Sequence, residues 1–394
     1  MRALVLTTSW PLHAGSVSGS FVRDLLRGLT AHGWTFEVVT PAPAGPVAYG
    51  DEPGIRVHAV RYAGHRVVGG LANGRGLPET LAAAPWAAAL VPPMLDAFAR
   101  EALARAQGGG FDRVWSHWLL PGGWIGAGVG NAARVPHHIT AHGSDIHLVE
   151  RLAHLPGVRR ALTHAWRRSV VSATSAFAAE RIARALPGTR VHACPLPAAA
   201  GEARPAEGPL EMLFLGRFEP VKGPDLLLDA SARVPAGTLA RVTLAGAGSL
   251  DRLLQERARE LVHPVAFPGV LAGGDKRATL ERAHALVVPS RRMSDGRIDG
   301  LPHAALEALA VGTPVIAPDE GALGDLLRRT GAGLTYPAHR HADRRAASLA
   351  ELLCSIGSAP ACLRDLRVRA RRAGRAFQMP DALAAWQCVL REGA

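Results

Sequence analysis

Lysine is almost missing from this chain of 394 residues: it occurs only at Lys222 and Lys276, and every other one of the 45 basic residues is arginine. Against 33 acidic residues the formal net charge is +12, a balance that can signal nucleic acid or an anionic membrane surface. The arginines, however, are scattered among acids in an Ala-, Gly- and Arg-rich chain, with local pairs such as Arg159-Arg160 and Arg167-Arg168. That dispersal reads as base-composition bias and favours phosphates or membrane headgroups over duplex DNA as partners of any basic face.

Cysteine is scarce as well. Cys194, Cys354, Cys362 and Cys388 show no C-x-x-C pairing and no His at ligand spacing, which argues against a structural metal and against a disulfide framework. Long apolar runs are also absent. None reaches the roughly 20 residues of a membrane span, so a soluble protein is expected. The start M-R-A-L-V-L-T-T-S-W reads as a strand rather than a signal peptide, which makes the cytoplasm the expected compartment, with peripheral contact at the inner face of a membrane as an extension. No short repeat appears, excluding a solenoid.

What is present is alternation. Strand-like runs at 3–8, 35–40, 56–60, 113–117, 137–141 and 169–173 are separated by helical stretches, and a second series follows at 212–216, 241–246, 264–268, 285–289, 314–317 and 333–336. The pattern predicts parallel sheets flanked by helices. At this length two cores of roughly 190 to 200 residues are expected, and the small, Pro-rich segment ending near Pro209 reads as their linker. The expected organisation is an α/β protein of two Rossmann-like doubly wound domains facing across a cleft: 1–200, 201–375, and a C-terminal helix at 376–394 packing back toward the first domain. Ligands of such sheets bind beyond the carboxyl ends of the strands.

The residues there carry chemistry. The run G-R-F-E-P-V-K-G places Arg217 and Lys222 around a turn that opens a helix, a setting suited to a diphosphate. One of only two lysines stands here, and Lys and Arg are not interchangeable at a phosphate. Lys276 lies outside this motif and serves as a reference position. The A-G-A-G-S segment with Gly246 and Gly248 lacks the third glycine of a dinucleotide fingerprint; tight packing and close approach to a nucleotide both suit it. In D-G-L-P-H-A-A-L-E, Asp299 precedes a helix over His303–Val311 whose first turn Pro302 suits, and Glu307 follows in the second turn. An unpaired buried carboxylate is costly, and a ribose diol is a natural partner; a capping Asp with a solvated Glu is the plainer alternative. In the first half, Gly19 and Ser20 open a helix, and His142, Gly143, Ser144 and Asp145 emerge from an interior strand in A-H-G-S-D. His117, between Trp115 and Trp118, suits either packing or acceptor binding.

The order of these motifs over nearly the whole chain resembles the retaining glycosyltransferases of family 4, with the GT-B fold. The resemblance implies a metal-independent hexosyltransferase with no cofactor, a nucleoside diphosphate sugar being the co-substrate and UDP the expected nucleotide. It implies diphosphate contacts from Arg217 and Lys222, a ribose contact from Glu307, sugar contacts near Asp299, and His142 near the scissile bond. The implied catalytic set is His142, Asp145, Arg217 and Lys222. The implied donor-binding set adds Gly19, Ser20, Gly216, Gly246, Gly248, Val270, Asp299, Gly300, Leu301, Pro302 and Glu307, with His117 toward the acceptor. A glycan, lipid-linked or small-molecule hydroxyl acceptor is implied, and no nucleic acid. The chain departs from the pattern in carrying Asp299 where the family usually has Glu, and S-V-S-G-S-F where it often has a G-G-x-E loop. A sugar-nucleotide epimerase and a non-catalytic nucleotide-binding paralogue are the competing readings.

Overall fold

The structure, a computed structural model, describes residues 1–11, 16, 19–43, 51–63, 71, 77, 80–81, 84–203, 209–359 and 361–392. The chain forms two compact units, unit 1 comprising Met1–Pro195 with Leu383–Ala394, and unit 2 comprising Leu196–Ala382.

Unit 1 contains β1 (Arg2–Leu6), β2 (Thr35–Pro41), β3 (Ile55–Val60), β4 (Arg113–His117), β5 (His137–Ala141), β6 (Ser169–Ala173) and β7 (Val191–Ala193). They form one parallel sheet in the order β3-β2-β1-β4-β5-β6-β7. Ala3 to Leu6 have no exposed surface, which is why β1 reads as an apolar block: helices cover both faces of such a sheet. The expected strands are found, and β7 is additional. Three residues with a central His leave too short a pattern to recognise.

β5, like its neighbour β4, departs from this: it is a fully covered strand rich in polar side chains. Each finds partners on its neighbours. His137 lies 2.9 Å from Ser116 Oγ and 2.8 Å from Ser169 Oγ, His138 lies 2.8 Å from Ser172 Oγ, and the Trp115 indole donates to Thr140 Oγ1 at 2.9 Å. This ladder satisfies most of the groups whose burial would otherwise be costly, His138 Nδ1 being left without a partner among the described residues. It also fixes a glycine: a Cβ at Gly126 would lie 2.0 Å from Ser116 Oγ and 2.4 Å from His137 Nε2.

The C-terminal helix Met379–Arg391 completes unit 1 from Leu383 onward. Trp386 is fully buried, its ring 5.5 Å from that of Trp115, and its indole donates to the Pro195 carbonyl at 2.8 Å. The Arg113 guanidinium donates to the Glu392 carbonyl at 2.8 Å.

Unit 2 contains β8 (Leu210–Leu215), β9 (Leu239–Ala245), β10 (Val265–Gly269), β11 (Ala285–Val287), β12 (Val315–Pro318) and β13 (Gly333–Tyr336), parallel in the order β10-β9-β8-β11-β12-β13. Phe214, Leu227, Val242, Val287, Ile316 and Leu349 belong to its core. In each sheet the winding reverses once, between β1 and β4 and between β8 and β11. Such a reversal opens a crevice at the carboxyl ends of the strands.

The expected linker is not a free tether over its described residues. Ala198 N–H donates to the Phe377 carbonyl and Ala203 N–H to the Val311 carbonyl, both at 2.7 Å. Small residues allow the approach: a Cβ on Gly201 would stand 2.7 Å from Val311 Cγ1. Residues 204–208 of the linker lie outside the described residues.

Candidate active site

In unit 2, β8 runs into Gly216, half-buried Arg217 and buried Phe218, then a tight turn Pro220–Lys222, then the helix Pro224–Ser231. Gly223 turns the chain with φ 67°, and a Cβ there would lie 2.2 Å from the Pro289 carbonyl oxygen. Only glycine fits both demands. The turn therefore seats Lys222 against the segment after β11.

There Lys222 meets the first motif carboxylate. Its Nζ lies 2.9 Å and 2.7 Å from the two oxygens of Asp299, and Ser290 Oγ donates to Asp299 Oδ2 at 3.1 Å. Two residues expected to act on different parts of a ligand thus form one ion pair, both largely covered. The second carboxylate is paired too. Lys276 Nζ stands 2.5 Å from Glu307 Oε1, and His303 Nδ1 is 3.6 Å from the same oxygen. The ring's other nitrogen, Nε2, lies 2.9 Å from the Pro197 carbonyl oxygen.

Lys276 was expected to be a neutral reference, and the structure corrects this. It sits in the helix Gly273–Arg282 that follows β10, facing Glu307. Both lysines of the chain thus pair with both carboxylates of the motif. The rarity that marks Lys222 in the sequence marks Lys276 equally, and that signal was available. Pro302 also needs correction: its ψ of 129° makes it the N-cap of the helix His303–Val311 rather than part of its first turn. The ring fixes φ in either place, and a residue that caps keeps extended ψ.

Gly246 and Gly248 owe their identity first to packing. A Cβ on Gly246 would lie 1.8 Å from the Gly216 carbonyl oxygen, and one on Gly248 would lie 2.5 Å from that of Phe218. Phe218 N–H donates to Ala247 O at 2.9 Å, and Gly246 N–H to Gly269 O at 2.8 Å. The loops after β8, β9 and β10 are thereby stitched together, with Val270 exposed just beyond. Gly300 and Leu301 lie between Asp299 and the helix cap.

In unit 1, Gly19 caps the helix Ser20–Thr30 with φ 73°, and a Cβ there would meet the Ser9 carbonyl oxygen at 2.6 Å. Val17 and Ser18 of the expected first-domain loop lie outside the described residues. His142 follows β5. Its Nε2 lies 2.9 Å from Nδ1 of His117, and the rings of Trp118 and Phe21 stand 4.8 Å and 5.0 Å from its own. Burial pushes the His142 pKa down to about 3, and burial, then the neighbouring His142 and His138, holds His117 well below the usual histidine value. Both rings are neutral at pH 7.

Two expected roles change here. His117 has no exposed surface, so it offers nothing directly to an acceptor; its reach is through His142. The Asp145 carboxylate accepts N–H groups from Leu119 at 2.7 Å, Gly143 at 2.8 Å and His142 at 3.2 Å. Burial raises its pKa against these backbone donors. Acting as a base would forfeit these bonds, whereas in place they orient the loop that carries His142. The sequence spacing alone could not separate these roles, because it does not say which way a buried carboxylate turns.

Fold and sites define an α/β protein of two Rossmann-like units, one with an imidazole pair at its strand ends and the other with lysine–carboxylate pairs beyond its strands. Two family models match the chain in succession: the glycosyl transferase 4-like domain over residues 18–197 and glycosyl transferases group 1 over residues 199–374. The chain belongs to the GT-B glycosyltransferases of the family 4 type. It is 37% identical over 177 residues to the D-inositol 3-phosphate glycosyltransferase of Rhodococcus opacus, covering 42% of this chain and 36% of that protein. With the glycogen synthase of Mycobacterium tuberculosis it shares 33% identity over 192 residues, 47% of this chain and 42% of that one. The chain thus matches 36 to 42% of the length of these curated relatives. Among solved structures, sucrose-phosphate synthase of Thermosynechococcus elongatus has the same fold, with a TM-score of 0.72, 21% identity, and coverage of 100% of this chain and 98% of that one. Anabaena HepE in complex with UDP-glucose is similar at a TM-score of 0.68 and 15% identity, covering 99% and 98%.

Proposed function

We propose that this protein transfers a sugar from a nucleoside diphosphate sugar, with UDP as the nucleotide, to a hydroxyl acceptor, keeping the donor's anomeric configuration and using no metal. The observation that carries the reading is the pairing of Lys222 with Asp299 and Lys276 with Glu307 at the strand ends of unit 2. It supports a donor site because each pair offers a cation to phosphate oxygens and a carboxylate to sugar hydroxyls. The Anabaena neighbour that binds UDP-glucose supports the choice of nucleotide.

In this reading the bond between the anomeric carbon and the bridging phosphate oxygen breaks first. Arg217, Lys222 and the N-terminus of the helix Pro224–Ser231 stabilise the negative charge that grows on the departing diphosphate. The acceptor oxygen forms the new bond on the same face, and its proton passes to the leaving phosphate. His142 contacts the donor sugar near the reacting carbon, where its contribution grows toward the transition state.

Thermal shifts with UDP-, GDP-, ADP- and dTDP-sugars identify the donor, since a ligand stabilises the state it binds. Proton NMR of the fresh product reads its anomeric coupling. A retained configuration is expected, and an inverted one would overturn the mechanism. Nucleotide release from the donor with no acceptor sugar added would instead favour the epimerase.

We also place the protein at an anionic inner membrane face from the cytoplasm. From Arg151 to Arg168, both ends included, there are five arginines and no Asp or Glu. Around the helices Ser144–Ala153 and Pro156–Trp166, Trp124, Leu148 and Leu155 are 47%, 44% and 54% exposed. Exposed apolar groups beside uncompensated arginine suit a lipid surface.

A further inference from the structure

We infer that His117 is a positioning residue that fixes the tautomer of His142, keeping the His142 proton on Nδ1 as a donor reserved for a ligand oxygen. The inference rests on the sugar-transfer reading only for what that oxygen belongs to; the tautomer itself is a property of the free protein.

The geometry leaves two arrangements. His117 Nδ1 and His142 Nε2 face each other at 2.9 Å, and between two neutral rings one of these nitrogens must carry the proton and the other accept it. If His117 donates, His142 bears its proton on Nδ1 and His117 Nε2 is a bare acceptor. If His142 donates, the proton of His117 moves to its own Nε2. Among the described residues both outer nitrogens, His117 Nε2 and His142 Nδ1, are buried without a partner.

Each arrangement therefore strands one N–H, and they differ in where. His117 ends β4 with no exposed surface, its ring 4.8 Å from Trp115. An N–H stranded there is lost in the interior, at the full cost of desolvation. His142 keeps some exposed surface, although its Nδ1 is itself covered, and it stands on the loop beyond β5, at the sheet's carboxyl end. An N–H stranded there lies at the end of the sheet where ligands bind, so a ligand that displaces its cover can meet it, and a binding or catalytic role is one reason native proteins keep an unsatisfied buried group. The first arrangement leaves the stranded donor where it can be used.

The surroundings hold the choice in place. The His117 and His142 rings lie 22° from parallel with centroids 5.1 Å apart, and Trp118 and Phe21 flank His142. Asp145 binds the N–H groups of His142 and Gly143 and so fixes the backbone beneath the ring. A ring held this way has a defined donor direction, but only the partner at Nε2 decides which nitrogen is protonated.

The test is a long-range proton–nitrogen correlation spectrum of the full chain with histidine labelled with nitrogen-15, His142 being identified by its loss in His142→Gln. The wild-type protein is expected to show His142 protonated on Nδ1. Protonation on Nε2 would overturn the inference without reference to activity. In His117→Leu the two His142 tautomers should mix, kcat should fall by about tenfold or more, as when a catalytic imidazole loses its orienting partner, and the donor KM should stay within about twofold. His117→Asn carries an amide N–H near the position of the lost Nδ1 and is expected to restore the Nδ1 tautomer and most of kcat. An unchanged kcat in His117→Leu despite a changed tautomer would also overturn the inference. Failure of the wild type to transfer any sugar would instead count against the transfer reading, leaving the spectrum to decide the tautomer.

Discussion

On the proposed reading, the two lysines illustrate how an ion pair changes what a phosphate-binding residue does before its ligand arrives. Lys222 is 21% and Asp299 16% exposed as side chains, and each largely neutralises the other. A diphosphate approaching Lys222 meets this carboxylate too, so removing the lysine alone leaves a negative group facing an anion. Lys222→Ala is therefore expected to weaken UDP binding by about tenfold or more, in line with a charge-assisted contact of ~1.5 to 3 kcal/mol. Adding Asp299→Asn should recover part of that loss. Calorimetry across the four proteins of this double-mutant cycle measures the coupling, and strictly additive losses would rule out the pair as the operative unit. The same logic makes Lys276→Ala a weakening substitution on the proposed reading, by roughly three- to tenfold for a partly exposed pair, because Glu307 would lose its lysine and keep only His303 at 3.6 Å.

At the level of elements, β4, β5 and the loop that follows β5 carry an unusual acid sensitivity. Burial pushes His137 and His142 down to about 3 from the usual 6.5, and burial holds His117 and His138 well below it. Folded-state values are depressed while the unfolded chain titrates normally, so below pH ~6.5 the unfolded state takes up protons that the folded unit refuses. Stability then falls with decreasing pH, by about 1.4 kcal/mol per pH unit for each such histidine, down toward the folded values. All eight tryptophans lie within Met1–Pro195 and Leu383–Ala394, so their fluorescence reports unit 1 alone. A urea midpoint read by this fluorescence should drop clearly between pH about 7.5 and about 5.5. A midpoint insensitive to pH across that range would mean the imidazoles are not held neutral.

On the scale of the whole molecule, the basic helices of unit 1 predict association with vesicles containing phosphatidylglycerol and none with phosphatidylcholine alone. Reversing Arg159 and Arg160 to Glu should cut binding roughly thirtyfold or more, at ~1 kcal/mol per basic residue near the surface, and Leu155→Ser should weaken it further. Co-sedimentation unchanged by both substitutions would remove this face from consideration. How much of the molecule was readable in advance follows from the physics of each feature. The winding of both sheets, the turn carrying Arg217 and Lys222 and the spaced carboxylates are local patterns: covered parallel strands are mostly apolar, tight turns need glycine, and helix starts favour particular residues. The sequence by itself therefore determined the strand order's raw material and the positions of Arg217, Lys222, Asp299, Glu307 and His142. Tertiary structure alone decided the partners. Lys276 joins Glu307 across 31 residues of chain, Lys222 joins Asp299 across 77, and His117 joins His142 across 25. Those pairings depend on which strands lie side by side and which way each covered side chain turns, and a hydrogen bond or ion pair formed by folding leaves no periodicity in the chain that makes it.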